Sequence, residues 1–175
     1  MVRRAYHGGY GASVTRGSMP SDADLEVLEN LARLSFLVQA RLVQVAEAQH
    51  LTPVQARLLV VLSDREPTML VLAGIMGLEK SSLTGLVDRA EARGLVERFA
   101  DPQSRRSVRV RLTAAGRRKC RAYVAAAAPE LIELLEALPA GDRKRLGALA
   151  GRVVHGYVAN HGIDVSTLDA PLRFV

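Results

Sequence analysis

The sequence predicts a mostly α-helical chain with one small β-hairpin set into it. Three observations carry this. Leu28, Leu31, Leu34, Val38, Leu42 and Val45 recur at steps of three and four, the stripe of a long amphipathic helix. Met69 to Met76 is a short apolar helix, parted from a longer one by Gly77. Leu95 to Phe99 and Ser107 to Leu112 then alternate in polarity, with Val108, Val110 and Leu112 on one face and Ser107, Arg109 and Arg111 on the other.

Residues 1–21 read as a flexible tail. Gly8, Gly9, Gly11, Gly17 and Pro20 break any periodicity, and Tyr6, His7 and Tyr10 receive no role. A long helix is expected from Asp22 to His50. Leu25, Val27, Phe36, Leu37 and Val43 lie partly off its stripe, so one side can pack on its own chain and another on a partner. Thr52-Pro53-Val54-Gln55 is a helix start: Thr52 can cap, Pro53 suits the first turn and Gln55 can reach back. That helix runs through Leu62, and residues 63–67 form a loop.

Thr68 opens the short helix, and Gly77 stands where a left-handed residue would end it. The next helix runs from Glu79 to Arg93, and Gly94 closes it. Short helix, tight turn and longer helix make a helix-turn-helix. Asp101 to Arg106 is the loop of the hairpin that follows, and a helix-turn-helix followed by a hairpin is a winged helix. Thr113 caps a helix to about Ala128, where Pro129 kinks or restarts it through Leu138. After a turn at residues 139–142, a last helix runs from Asp142 to Ala159. The tail 161–175 is irregular, with Ile163, Val165, Leu168, Leu172 and Phe174 available to dock on a partner.

Composition bounds the function. The chain has 175 residues, 49% hydrophobic and 24% charged, the balance of a globular protein. Cys120 is the single cysteine, so no internal disulfide forms. The longest apolar run, Ala122 to Ala128, is far below a membrane span. No signal peptide is visible, and a cytoplasmic location is expected. Net charge is +6, but residues 79–121 alone carry twelve basic and five acidic side chains, a net +7, so the rest sums to −1. A basic stretch on a neutral body suggests a polyanion partner; a solvated, salt-bridged surface is the plain alternative.

The run Leu72-Ala73-Gly74-Ile75-Met76-Gly77-Leu78-Glu79-Lys80-Ser81-Ser82-Leu83-Thr84-Gly85-Leu86-Val87-Asp88-Arg89 resembles the MarR family of bacterial transcriptional regulators. The resemblance continues through Ala92 to Arg98, Asp101-Pro102, Arg105-Arg106 and Val108 to Thr113. These motifs cover about 45 residues, and the flanking helix pattern fits from about residue 24 to 160.

The resemblance implies a winged helix-turn-helix (51–113) on a helical dimerisation scaffold (22–50 and 114–160). It implies an obligate homodimer bound to double-stranded DNA. Lys80, Ser81, Ser82 and Thr84 would stand at the groove end of the recognition helix, where free N–H groups and short hydroxyls meet phosphates and base edges. Helix capping is the alternative role for the hydroxyls. Gln103, Ser104, Arg105 and Arg106 would form the wing tip, its arginines against the minor groove or, alternatively, merely solvated. Asp88 would pair with Arg106, and Asp101 with Asp88 would position the wing. Arg89, Arg93 and Arg98 are expected to contact phosphates or form internal ion pairs. Two positions depart from the family pattern. Ser104 stands where many members have Asp, and Gly85 where many have Arg, which either removes a base reader or lets the helix approach closely.

Family members bind small aromatic or phenolic acids, and here Phe36, His50, Arg57 and Tyr123 are candidates to line such a pocket. Cys120 lies among Arg117, Arg118, Lys119 and Arg121, which would favour its thiolate and a redox role, though a bystander thiol is the plainer reading. His7, His50, His155 and His161 lack metal-pair spacing, so no metal or cofactor is expected, and His155 and Tyr157 are assigned to packing or hydrogen bonding. No phosphate loop, nucleophile elbow or metal set indicates an enzyme. The expected function is a dimeric, effector-responsive repressor on a pseudo-palindromic operator. A DNA-binding dimer without an effector is the alternative.

Overall fold

The computed structural model describes residues 19–160, apart from the side chains of Arg105 and of residues 158–160. The expectations for residues 1–18 and 161–175 lie outside the described residues. The chain divides into two compact units, residues 1–36 and 37–175. The described elements are α1 (Asp22–Ala48), α2 (Pro53–Val61), α3 (Met69–Met76), α4 (Lys80–Ala92), β1 (Val96–Asp101), β2 (Ser104–Leu112), α5 (Ala114–Glu133) and α6 (Ala140–Asn160).

Local chemistry sets the helix ends. Ser21 and Asp24 cap α1 reciprocally: the Asp24 N–H donates to Ser21 Oγ at 3.2 Å and the Ser21 N–H to Asp24 Oδ2 at 3.1 Å. Thr52 and Gln55 do the same for α2, as their order predicts. Helices α1, α3 and α4 share one ending, in which a left-handed residue reverses the chain and two N–H groups bond back to the last turn. Gly77 (φ +64°) and Gly94 (φ +66°) fill that place in α3 and α4. His50 fills it after α1 at φ +54°. Its N–H donates to the Glu47 carbonyl and that of Leu51 to the Ala46 carbonyl, both at 2.8 Å, so α1 stops at Ala48 rather than His50.

The hairpin is tighter than the alternation predicts. β1 extends to Asp101 and β2 begins at Ser104, leaving Pro102 and Gln103 as the turn. Ala100 lies opposite Val108 and Asp101 opposite Ser104. Arg105, Arg106 and Ser107 therefore have no opposite residues and form a bulge at the tip. On the other edge of β2, Thr68 bridges to Arg109 and the Val110 N–H donates to the Pro67 carbonyl at 3.0 Å, tying the start of α3 to the hairpin.

Thr113 caps α5 through the Gly116 N–H at 3.0 Å. A Cβ on Gly116 would lie 1.8 Å from the Leu95 carbonyl oxygen, so this glycine lets α5 close onto the base of the hairpin. α5 continues through Pro129 to Glu133, and residues 134–138 are turns rather than the helix the pattern predicts. The core of residues 37–175 joins Leu58 and Leu59 of α2, Leu72 of α3, Leu83, Leu86 and Val87 of α4 and Val96 and Val110 of the hairpin. Cys120, Tyr123 and Ala127 of α5 are buried in the same cluster.

Two helices keep apolar side chains in solvent. α1 exposes Leu28 and Leu31 of the stripe that predicted it, together with Leu25, Val27, Phe36 and Leu37 beside that stripe. α6 has no buried side chain among those described and exposes Leu149, Val153, Val154 and Tyr157. No single helix among the described residues is long and apolar enough to cross a membrane.

Candidate nucleic-acid interface

α4 buries Leu83, Leu86, Val87 and Ala90. The 3.6-residue repeat then leaves Lys80, Ser81, Ser82, Asp88 and Arg89 exposed, with Thr84 and Gly85 half-buried beside them. Neither serine caps the helix. The N-cap residue is Glu79, without a side-chain cap bond, and the Thr84 hydroxyl donates to the Lys80 carbonyl at 2.8 Å. The hydroxyls of Ser81 and Ser82 have no partner among the described residues.

Two arginines fix the helix-turn-helix at its ends. Arg57 on α2 donates to the Met76 carbonyl at 3.2 Å and the Ile75 carbonyl at 3.0 Å, closing the end of α3. Arg93, just past α4, donates to Gln55 Oε1 at 2.9 Å and the His50 carbonyl at 2.8 Å. Gln55 Oε1 also accepts the Thr52 N–H at 3.1 Å, so one buried amide oxygen closes the α2 cap and holds α4.

The expected Asp88–Arg106 pair does not form. Asp88 instead accepts from Arg98 Nη2 at 2.6 Å, while Glu91 accepts from Arg98 Nη1 and the Arg98 N–H. The chain reverses at Gly94, so β1 runs back along α4 and brings Arg98 level with both carboxylates. Arg106 is carried to the tip and is exposed.

The wing is positioned by Asp101, through a partner the sequence did not disclose. Asp101 is buried and accepts Arg109 Nε at 2.9 Å and the Gln103 N–H at 3.1 Å. The Arg109 guanidinium, aided by that N–H, holds the Asp101 carboxyl below the usual carboxylate range. Arg109 Nη1 also donates to the Glu66 carbonyl at 3.0 Å, fastening the hairpin to the loop before α3. Ser104, where the family pattern has Asp, accepts the Ser107 hydroxyl at 3.1 Å across the bulge. Arg111 donates to Glu97 at 2.7 Å and lies 4.6 Å from the Phe99 ring centroid.

From Lys80 to Arg111 the basic residues thus separate into two sets. Arg93, Arg98, Arg109 and Arg111 hold structure. Lys80, Arg89 and Arg106 make no side-chain hydrogen bond or ion pair among the described residues, and Gln103 is exposed in the turn. The side chain of Arg105 lies outside the described residues.

The expectation that neighbouring cations favour the Cys120 thiolate is corrected. Cys120 is buried, its thiol donates to the Leu59 carbonyl at 3.4 Å, and burial pushes its pKa up to about 11 despite Arg121 nearby. The thiolate is therefore disfavoured. Of the candidate pocket residues, Arg57 closes α3, His50 ends α1, Tyr123 is in the core and Phe36 is exposed. A cavity of about 440 Å³ lies elsewhere, lined by residues 62–66 and by Arg111, Leu112 and Arg117. No group of three potential metal ligands occurs among the described residues.

A helix-turn-helix locked to a basic hairpin, with its remaining cations turned outward, defines a winged-helix protein of the nucleic-acid-binding kind. Residues 51–107 match the model of the MarR family. That match covers the helix-turn-helix and the hairpin as far as Ser107. Among solved structures, a MarR family transcriptional regulator from Rhodococcus sp. RHA1 is 25% identical, with 78% of this chain and 96% of that one covered at a TM-score of 0.65. A MarR family regulator from Streptomyces coelicolor, solved in complex with DNA, is 22% identical, covering 81% and 92% at 0.68. BpsR of Bordetella bronchiseptica, whose DNA binding is regulated by 6-hydroxynicotinic acid, is 24% identical, covering 74% and 98% at 0.62. No curated protein matches the sequence.

Proposed function

We propose that this protein is a sequence-specific DNA-binding repressor that acts as a homodimer on a pseudo-palindromic operator and is released by a small aromatic or phenolic acid. One observation carries the reading. Among the described side chains of α4 and the hairpin, the cations without an internal role are those at the exposed face of the helix and the tip of the wing, Lys80, Arg89 and Arg106. Lys80, Ser81, Ser82 and Thr84 enter the major groove, and Gln103, Ser104, Arg105 and Arg106 follow the adjacent minor groove.

The exposed apolar rows of α1 and α6 support a second copy as partner, since surfaces of that kind mark association sites. A two-fold dimer reads half-sites about one helical turn apart. The candidate places for an effector are the Phe36, His50, Arg57 and Tyr123 set and the open, largely polar depression at the base of the wing. Such a regulator works in the cytoplasm, where its DNA is. The buried Cys120 thiol argues against redox sensing.

The test is selection of bound fragments from random DNA at a stated salt concentration. Enrichment of a two-fold symmetric motif, with affinity falling steeply as salt rises, is expected. Retention without any motif would replace this reading with an architectural one.

A further inference from the structure

Gly85 is half-buried beside the exposed face of α4, where a glycine costs about 1 kcal/mol of helix propensity relative to alanine. The structure shows what fills the place of its missing side chain. A Cβ built on Gly85 would lie 3.3 Å from Arg89 Nη1, and nothing else is within 4 Å. Helical side chains lean toward the N-terminus and cover the preceding turn, so Arg89 lies back over Gly85 toward the Lys80 end. Asp88, the nearest carboxylate in sequence, is taken by Arg98 at 2.6 Å. Arg89 is exposed and makes no ion pair or hydrogen bond among the described residues.

We propose that Arg89, seated on Gly85, is a base-reading residue of this protein, and that its contact is a guanine in each half-site. The inference rests on the reading of α4 as the major-groove helix. A guanidinium presents paired N–H donors in a fixed fork, and guanine offers two acceptors, O6 and N7, on its major-groove edge. Unseated, the same side chain would be one more mobile cation near phosphates. Seated, it is held one turn nearer the groove end of the helix, and much of the ordering that a base contact requires is done before binding. Glycine is the residue that leaves this seat open. Alanine would place a methyl group 3.3 Å from the guanidinium, tighter than ordinary contact, so the guanidinium would have to give by a few tenths of an ångström.

The test is motif selection and affinity measurement with the full chain carrying Gly85→Ala, Arg89→Ala, Arg89→Lys and the double substitution Gly85→Ala with Arg89→Ala. Arg89→Ala and Arg89→Lys should both lose preference at one G·C pair per half-site, by roughly 5- to 150-fold, with other positions unchanged. Gly85→Ala should lose much of the same preference while its melting temperature rises by about 2–4 °C. In the Arg89→Ala background, Gly85→Ala should have no further effect on binding. A uniform loss across sequences, restored by Arg89→Lys and accompanied by a salt slope about one unit shallower in Arg89→Ala, would make Arg89 a phosphate contact and overturn the proposal. If Gly85→Ala weakens binding equally with and without Arg89, the glycine serves close backbone approach instead, and the seat is refuted. A wild-type chain that selects no motif would overturn the proposed function and this inference with it; the other refutations leave that function standing.

Discussion

Gly116→Ala is the sharpest test of how the wing is built. The added Cβ would lie 1.8 Å from the Leu95 carbonyl oxygen and 3.3 Å from a Leu112 methyl. Ordinary contact begins near 3.4 Å, so α5 and the start of β1 must part by about 1.6 Å. The carbonyl cannot swing aside cheaply. It accepts the Thr113 N–H at 3.1 Å and the Thr113 hydroxyl at 3.3 Å, and that hydroxyl also bonds the Gly94 carbonyl and caps α5. Overpacking costs about 1–3 kcal/mol and each lost hydrogen bond about 1 kcal/mol, giving a destabilisation of about 3–5 kcal/mol. For a chain of this size that is a fall of roughly 6–20 °C in melting temperature. The control is Gly74→Ala in α3, where a Cβ meets nothing within 4 Å. It should gain up to ~1 kcal/mol in helix propensity and melt a few degrees higher. Thermal unfolding by circular dichroism measures both. A Gly116→Ala chain melting within 2 °C of wild type, on the order of 1 kcal/mol or less, would refute the packing of α5 on the hairpin base.

Further outcomes follow from individual groups. The Asp101 carboxyl is depressed in the fold, so its contribution is present above the ordinary carboxylate pKa and is lost as pH falls through its folded value. The stability gap between wild type and Asp101→Asn, followed by urea unfolding, should therefore shrink from pH 5 toward pH 3, and a constant gap counts against the Arg109 clamp. Cys120 is raised to about 11, so the fold favours the neutral thiol, and stability should fall as pH rises from about 9 toward 11, by on the order of 2 kcal/mol, a loss that Cys120→Ala removes. At pH 8 its reaction with a thiol reagent should be at least about 100-fold slower than in the unfolded chain, and equal rates would contradict the burial. His50→Gly should stabilise the chain by ~0.5–1 kcal/mol in thermal unfolding, since the left-handed φ of +54° costs a histidine but not a glycine; destabilisation would mean the imidazole has a role of its own.

The elements were legible where one residue type in one place decides the local structure. Thr52 with Gln55, Thr68 with Gly77, and Gly94 each announce a helix boundary because caps and left-handed endings are satisfied within a few residues. The α4 face was legible for a related reason: a 3.6-residue repeat that buries Leu83, Leu86, Val87 and Ala90 leaves Ser81, Ser82 and Arg89 outside whatever the rest of the chain does. Arg57, Arg93 and Arg109 were not singled out as the residues that position the site. Their partners stand 18, 38 and 8 residues away, and an arginine within an arginine-rich stretch carries no sign of which carbonyl or carboxylate it will meet. The spacing of Asp101 and Arg109 across one tight hairpin was the available signal, and it is readable only once the turn is known to be Pro102-Gln103.

The sequence by itself determined the helix-turn-helix, the hairpin after it and the basic character of both, because periodicity, capping and turn chemistry act over a few residues. The tertiary structure alone decided which of those charges are structural. Whether Arg98 or Arg106 meets Asp88 depends on the direction in which β1 returns along α4, and whether Cys120 ionises depends on what buries it. Long-range burial and strand direction are properties of the packed chain, and they turned a run of similar arginines into a scaffold and an exposed face.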